Sequence, residues 1–410
     1  MSKAIGAVWR IESARLVGGL MRIVHDLGAA EDLAQEALVS ALELWPASGI
    51  PENPGAWLMA TARNRAIDHL RRGQLLARKH RDLGDEPPPP ARDLEEEIDE
   101  GVGDDLLRLV LVACHPILPA EARVALTLRL VAGLSTDEIA RAFLVSEPTI
   151  AQRIVRAKRT LAEARVPFEI PRGADLSARL ASVLEVVYLV FNEGYAATKG
   201  DDWMRPELCE DALRLGRILA QLAPDEAEVH GLLALMELHA SRARARVGPS
   251  GEPILLAEQE RSRWDQLLVR RGLAALARAE SLGEPLGPYA LQAAIAACHA
   301  RARTARETDW MRIVALYDAL VEVTRSPVVE LNRAVAVGMA YGPAAGLELV
   351  DALTAEPSLR SYHLLASVRG DLLARLGRMD DARAEFERAA FMARNSRERD
   401  LLVARAEACR

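Results

Sequence analysis

Apolar residues recur along this chain at spacings of three and four, the period of amphipathic helices, and strict alternation is scarce. The pattern is sharpest near the middle. Ile150, Ile154, Ala157 and Leu161 fall at intervals of four, three and four, which puts them on one face of a helix. Thr149, Gln152, Arg153 and Arg156 are left on the outside. Just upstream, Ile139 and Phe143 share a face of a shorter helix that starts after Ser135. There the serine side chain can cap the helix while Glu138, three positions on, reaches back to the cap's own N–H. After a break at Leu144 and Val145, Ser146 is a second cap candidate, with Pro148 in the first turn, where a missing N–H costs little. Residues 134–161 therefore read as a helix-turn-helix.

Nearer the start, Ala29 to Leu44 carries Leu33, Ala37 and Ala41 on one face and Glu31, Asp32, Gln35, Glu36 and Glu43 elsewhere, an acidic amphipathic helix. Trp45 and Pro46 are expected to end it. Asn53 and Pro54 restart a helix as cap and first residue. That helix, Pro54 to Arg72, turns Met59, Ala62, Ala66 and Leu70 inward and leaves Arg63, Asn64, Arg65, Asp68, Arg71 and Arg72 outside. Trp57 has two readings: an ordinary core side chain, or a stacking platform for an unpaired base, worth about 1–3 kcal/mol per base in such sites.

Composition narrows the class. The chain has 410 residues, half of them apolar and 4% aromatic, enough for two to four domains at about 100–200 residues each. Abundant Ala, Leu, Arg and Glu favour helix, so an all-α fold is expected. The net charge of -7 is uneven: +2 over residues 1–80, -8 over 81–110, +3 over 111–165 and -4 over the remainder. Two mildly basic blocks thus flank an acidic one. Cys114, Cys209, Cys298 and Cys409 lack a CxxC spacing, which argues against a zinc site or a disulfide framework, and no metal or cofactor is expected. Lys3, Arg10, Glu12 and Arg15 break up the start of the chain, unlike a secretory signal. The most apolar run, Leu180 to Phe191, is interrupted by Glu185 and too short to span a bilayer. A cytoplasmic protein with no membrane partner follows.

The outer face of the second helix has the chemistry of major-groove reading: Arg pairs bidentately with guanine and Gln with adenine, while Lys158 or Arg159 can neutralise phosphate. The phrases AEDLAQEALVSALELW and NPGAWLMATARNRAIDHLRR resemble region 2 of bacterial sigma factors of the extracytoplasmic-function type, and the helix-turn-helix resembles their region 4. The resemblance covers roughly the first 165 residues and implies two partners, core RNA polymerase and promoter DNA. Asp32, Leu33, Gln35 and Glu36 match the surface that docks on the polymerase clamp helices. Trp57, Arg63, Asn64, Arg71 and Arg72 match the part that opens and reads the -10 element. Thr149, Gln152, Arg153 and Arg156, with Lys158 and Arg159, match the -35 reader. Ala151 departs from the arginine of many relatives, so the preferred -35 sequence does not transfer.

The division expected is region 2 over residues 1–78, an acidic proline-rich linker over 79–104, region 4 over 105–166 and a helical domain over 175–410. In the last, Gly370, Gly377, Ala382, Phe386 and Ala389 have the spacing of a tetratricopeptide helix pair. Weaker copies run through Gly342, Ala345, Leu349 and Ala352, and through Ile313, Tyr317 and Leu320. Such a solenoid implies a protein or peptide partner. The segments Phe191 to Tyr195 and Glu258 to Arg261 before Trp264 look chemical but lack a base, nucleophile and metal set. They are expected to be a helix end at Gly194 and helix-surface pairing, and no catalytic residue is expected. The alternative to a sigma factor is a helix-turn-helix regulator that never replaces the housekeeping sigma factor and does not bind core polymerase.

Overall fold

The computed structural model describes residues 2–81, 102–198, 200–249, 251–283 and 285–409. These are all-α, with two isolated β-bridges, Gly200 with Asn395 and Val247 with Pro253, and no strand longer than a bridge. Most of the acidic linker, residues 82–101, lies outside the described residues. The chain forms two compact units, Met1–Val187 and Tyr188–Arg410.

The first unit contains α1 (Ser2–Val24), α2 (Leu27–Ser48), α3 (Pro54–Arg81), α4 (Val102–Ala113), α5 (Ala120–Leu130), α6 (Thr136–Phe143), α7 (Glu147–Glu163) and the start of α8 (Ala174–Tyr195). Helices α1, α2 and α3 pack on one another, and α1 also meets α4. Leu16, Leu20, Trp45 and Leu58 are fully buried in these helices, each contributing about 1.5–3 kcal/mol by leaving water. Helix α2 does not stop at Trp45. Pro46 lies inside its final stretch and the helix runs to Ser48, which is tolerable because the helix ends within two residues and few carbonyls depend on the lost donor. Asn53 caps α3 by accepting from the N–H of Ala56 at 3.0 Å.

The helix-turn-helix forms as its sequence demands. Glu138 accepts from the Ser135 N–H at 2.8 Å and donates its own N–H to Ser135 Oγ at 3.1 Å, a complete capping box. Leu144 takes a left-handed turn, φ +49°, a conformation uncommon outside glycine, asparagine and aspartate. Ser146 has the backbone of a cap, but its hydroxyl meets Thr149 Oγ1 at 2.7 Å instead of the helix N–H groups. Ile150, Ile154, Ala157 and Leu161 are all buried, and α7 packs on both α5 and α6.

The second unit runs from the end of α8 through α9 (Pro206–Leu222), α10 (Ala227–Ala240), α11 (Gln266–Ser281), α12 (Pro288–Arg301), α13 (Trp310–Thr324), α14 (Pro327–Ala340), α15 (Pro343–Leu353), α16 (His363–Arg375), α17 (Met379–Met392) and α18 (Ser396–Glu407). From α9 onward each helix packs against the next. Phe386 fills the gap left by Gly370, where a Cβ would lie 2.8 Å from the ring, closer than real contacts allow. The upstream copy differs by one position of phase. Gly346, Leu347 and Val350 are its buried residues, Ala345 and Leu349 are half-buried, and Ala352 is exposed. Alanine is apolar enough to satisfy either phase, so the sequence pattern there has no sharp register.

Candidate nucleic-acid interface

In α7 the buried stripe turns the opposite face outward. Gln152 and Arg156 are exposed and Thr149 and Arg153 are half-buried, none of them part of the buried stripe. Neither Arg153 nor Arg156 forms an ion pair among the described residues, so both guanidinium groups remain available to an acceptor. Arg159 is different: its Nε donates to Glu163 Oε1 at 2.6 Å, one turn along the same helix.

Lys158 is held elsewhere. Its ammonium pairs with Glu31 of α2, and Arg129 Nε of α5 donates to the same carboxylate at 2.7 Å, as does Gln35 Nε2 at 2.7 Å. Glu31, expected on an outer face, is 5% exposed. Burial alone would push its pKa up, but Lys158 and Arg129 outweigh that and hold it below the ordinary carboxylate value. An ionised, buried carboxylate therefore ties α7 and α5 to α2. Asp105, 4% exposed, makes a second link by accepting from Arg22 of α1 at 3.3 Å and Arg108 at 2.7 Å.

On α2, Asp32 is exposed and Glu36 is exposed and paired with Arg65 at 3.0 Å, whereas Leu33 lies in the core at 5% exposure. Gln35 is half-buried against Glu31. On α3, Asn64 and Arg71 are exposed and Arg63 is half-buried. The side chain of Arg72 lies outside the described residues. Trp57 and the buried Trp45 form a T-shaped pair, centroids 5.3 Å apart and planes at 65°, and Trp57 keeps part of its surface in solvent. It has the support of a core residue and the exposure of a platform.

Residues 10–75 match the family model Sigma-70 region 2, and residues 108–161 match Sigma-70, region 4. The chain is similar to the ECF RNA polymerase sigma factor SigK of Mycobacterium bovis, 30% identical over 152 residues, covering 36% of this chain and 78% of that one. The chain belongs to the extracytoplasmic-function sigma factors. A probable sigma factor of that type from Mycobacterium tuberculosis, SigI, is 29% identical over 167 residues, 40% of this chain and 56% of the relative. Each of these two matches covers two fifths of the chain or less. An uncharacterized protein of Rhizobium meliloti extends the similarity to nearly the whole length, 44% identical over 390 residues, 93% of this chain and 90% of that protein. Residues 179–280 match a family of unknown function, DUF6596. This sigma factor thus carries an extension of its own type, and no described helix is long and apolar enough to cross a membrane.

The two segments set aside as chemically suggestive are built differently from expectation. Gly194 does not end α8, which continues to Tyr195. Its lack of a side chain lets α9 approach, since a Cβ there would lie 2.7 Å from the Cys209 backbone nitrogen. Glu193 is buried and accepts from Thr198 Oγ1 at 2.9 Å and from Arg205. Gln259 is not on a helix surface but buried in a loop, its Nε2 donating to the Ile254 carbonyl at 3.1 Å. Sequence reasoning also missed the Glu31 anchor and a group of buried arginines in the second unit. The alternating arginines of Ser241 to Arg246 were the available signal for the latter.

Proposed function

We propose that the two sigma regions divide promoter recognition between α3 and α7, as residues 1–78 and 105–166, and that residues 175–410 form a tetratricopeptide-like regulatory module. The unpaired, outward Arg153 and Arg156 on α7 are the observation that carries the -35 assignment. Together with Thr149 and Gln152 they read base edges, while Arg159 and Lys158 approach the flanking phosphates. Lys158 can neutralise phosphate only after leaving Glu31, because one ammonium does not serve both anions at full strength.

The -10 element is taken by Trp57, Arg63, Asn64, Arg71 and Arg72 on α3, with the half-buried Trp57 as the stacking platform for a base from the opened strand. Asp32, Gln35 and Glu36 face the polymerase, and Leu33 fixes their orientation from inside the core. The site holds no metal or cofactor chemistry and performs no catalysis itself; transcription is the work of the polymerase it directs in the cytoplasm. The helical extension binds a protein or peptide partner and adjusts activity without choosing promoters.

Reconstituted transcription with core polymerase tests this reading. Promoter-specific initiation that Arg153→Ala and Arg156→Ala weaken is the expected result. Specific DNA binding with no affinity for core polymerase would instead favour a regulator that is not a sigma factor.

A further inference from the structure

Three arginines of the second unit gather around aromatic rings, and none of them forms an ion pair with a carboxylate among the described residues. Arg242 is 8% exposed, and its guanidinium carbon lies 5.8 Å from the Tyr195 ring centroid and 5.7 Å from that of Trp264. Its side chain makes no hydrogen bond or ion pair among the described residues, and its Nε is buried with no partner. Arg246, also 8% exposed, sits 3.5 Å over Tyr195 and donates to the Tyr195 carbonyl. Arg261 lies 4.8 Å from Trp264 and donates to carbonyls of His299 and Ala302 and to Thr308 Oγ1, leaving its own Nε unsatisfied.

Of the nearby acids, Glu307 favours the charged form of Arg261 and accepts from the Arg303 N–H at 3.2 Å, and the others are already used. Glu193 is taken by Arg205 and Thr198, and Glu237 by Arg217 at 2.9 Å. The histidines do not offset the charge either. Burial, followed by Arg242 and Arg246, keeps His239 well below its ordinary pKa, and burial with Arg242 and Arg261 lowers His299 to about 4. Both are neutral near pH 7, and with Glu307 opposing three arginines the cluster keeps a net positive charge.

A buried guanidinium without a counter-ion is strongly unfavourable, and such groups persist where an anion completes them. The aromatic contacts lie against the guanidinium of Arg242, a favourable but weakly selective arrangement, while its buried, unsatisfied Nε and its terminal nitrogens, which make no hydrogen bond among the described residues, offer a donor fork for bidentate oxyanion binding. We propose that Arg242, supported by Arg246 and Arg261, is the binding site for the oxyanion group, phosphate or carboxylate, of a small molecule, so that the extension senses a ligand. The two chemically suggestive stretches of sequence meet here, Tyr195 from the first and Arg261 with Trp264 from the second. The inference does not depend on the assignment of promoter contacts.

The full-length protein is titrated with sodium phosphate and, separately, sodium succinate, against sodium chloride of equal ionic strength. Tryptophan fluorescence and the thermal midpoint are followed. One oxyanion is expected to give a saturable fluorescence change and a raised midpoint that chloride does not, and which one does so identifies the group. Arg242→Met should weaken that binding by about tenfold or more yet leave the ligand-free midpoint unchanged or higher, because it removes a buried charge with no partner. Arg242→Lys, which keeps charge but loses the fork, should also bind weakly, and Arg244→Met at the exposed neighbour should bind normally. The proposal is overturned if neither oxyanion gives a saturable response at millimolar concentration, or if Arg242→Met binds as tightly as the parent. A ligand-free midpoint lowered in both Arg242 variants would likewise overturn it, since the arginine would then be a structural strut.

Discussion

Glu31 shows how one side chain can change the meaning of its neighbours. Its carboxylate accepts from Arg129, Lys158 and Gln35 in a buried setting, so removing it strands two cations. Glu31→Ala should destabilise the first unit by about 2 kcal/mol, seen as a lower denaturation midpoint, and should free Lys158. On the outer face of α7, Arg153→Ala and Arg156→Ala should each cost about 1–3 kcal/mol of promoter affinity where the residue reads a base, with little change in fold stability; binding isotherms at fixed salt measure this. His299 predicts an acid limb for the second unit. Its folded pKa is depressed to about 4 from 6.5, so below 6.5 the unfolded chain binds a proton that the folded chain refuses. Stability is therefore full above 6.5 and falls as pH drops towards 4, by up to about 3 kcal/mol. His299→Phe should flatten that limb in urea denaturation series between pH 7 and 4.

At the level of elements, α16 and α17 depend on close approach. Gly370→Val would drive a branched side chain into Phe386, and overpacking of this kind costs about 1–3 kcal/mol, measurable as a lower urea midpoint with an unchanged slope. The capping box, the turn at Leu144 and the stripe of α7 were legible because caps and 3.6-residue periodicity are local properties. The end of α2, the phase of α15 and the continuation of α8 past Gly194 were not. Pro46 and Gly194 carry the usual signs of termination, and packing against Trp45's surroundings and α9 decides otherwise. In α15 alanine leaves the pattern ambiguous, and contact with α14 and α16 sets the phase.

For the molecule as a whole, the boundary between the compact units falls within α8, after Val187. Residues just before it belong with region 4: Ser182 Oγ donates to the Cys114 carbonyl at 2.5 Å, and Arg123 donates to Glu185 at 2.9 Å. A chain ending at Val187 should therefore select the same promoters as the full protein, with activity altered by loss of the extension. A chain ending at Arg172 should be less stable than that one, because it loses the partners of Arg123 and Cys114. Promoter profiling and thermal denaturation of the two truncations check both statements, and a shift in promoter choice for the longer one would show that the extension takes part in recognition.

The order of the two sigma regions, the helical class and the outward face of α7 were determined by the sequence alone, since each rests on local spacing and on residue chemistry. Tertiary structure decided which of the outward charges are free. Periodicity assigns a residue to a face of its own helix but does not say what that face meets 98 residues away, as Arg129 meets Glu31. For the same reason Lys158 is tied inward, and Arg242 stands between two rings with no ion pair among the described residues. Whether a charge is solvated, paired or stranded depends on long-range packing, and these differences separate a promoter contact from an internal anchor or a ligand site.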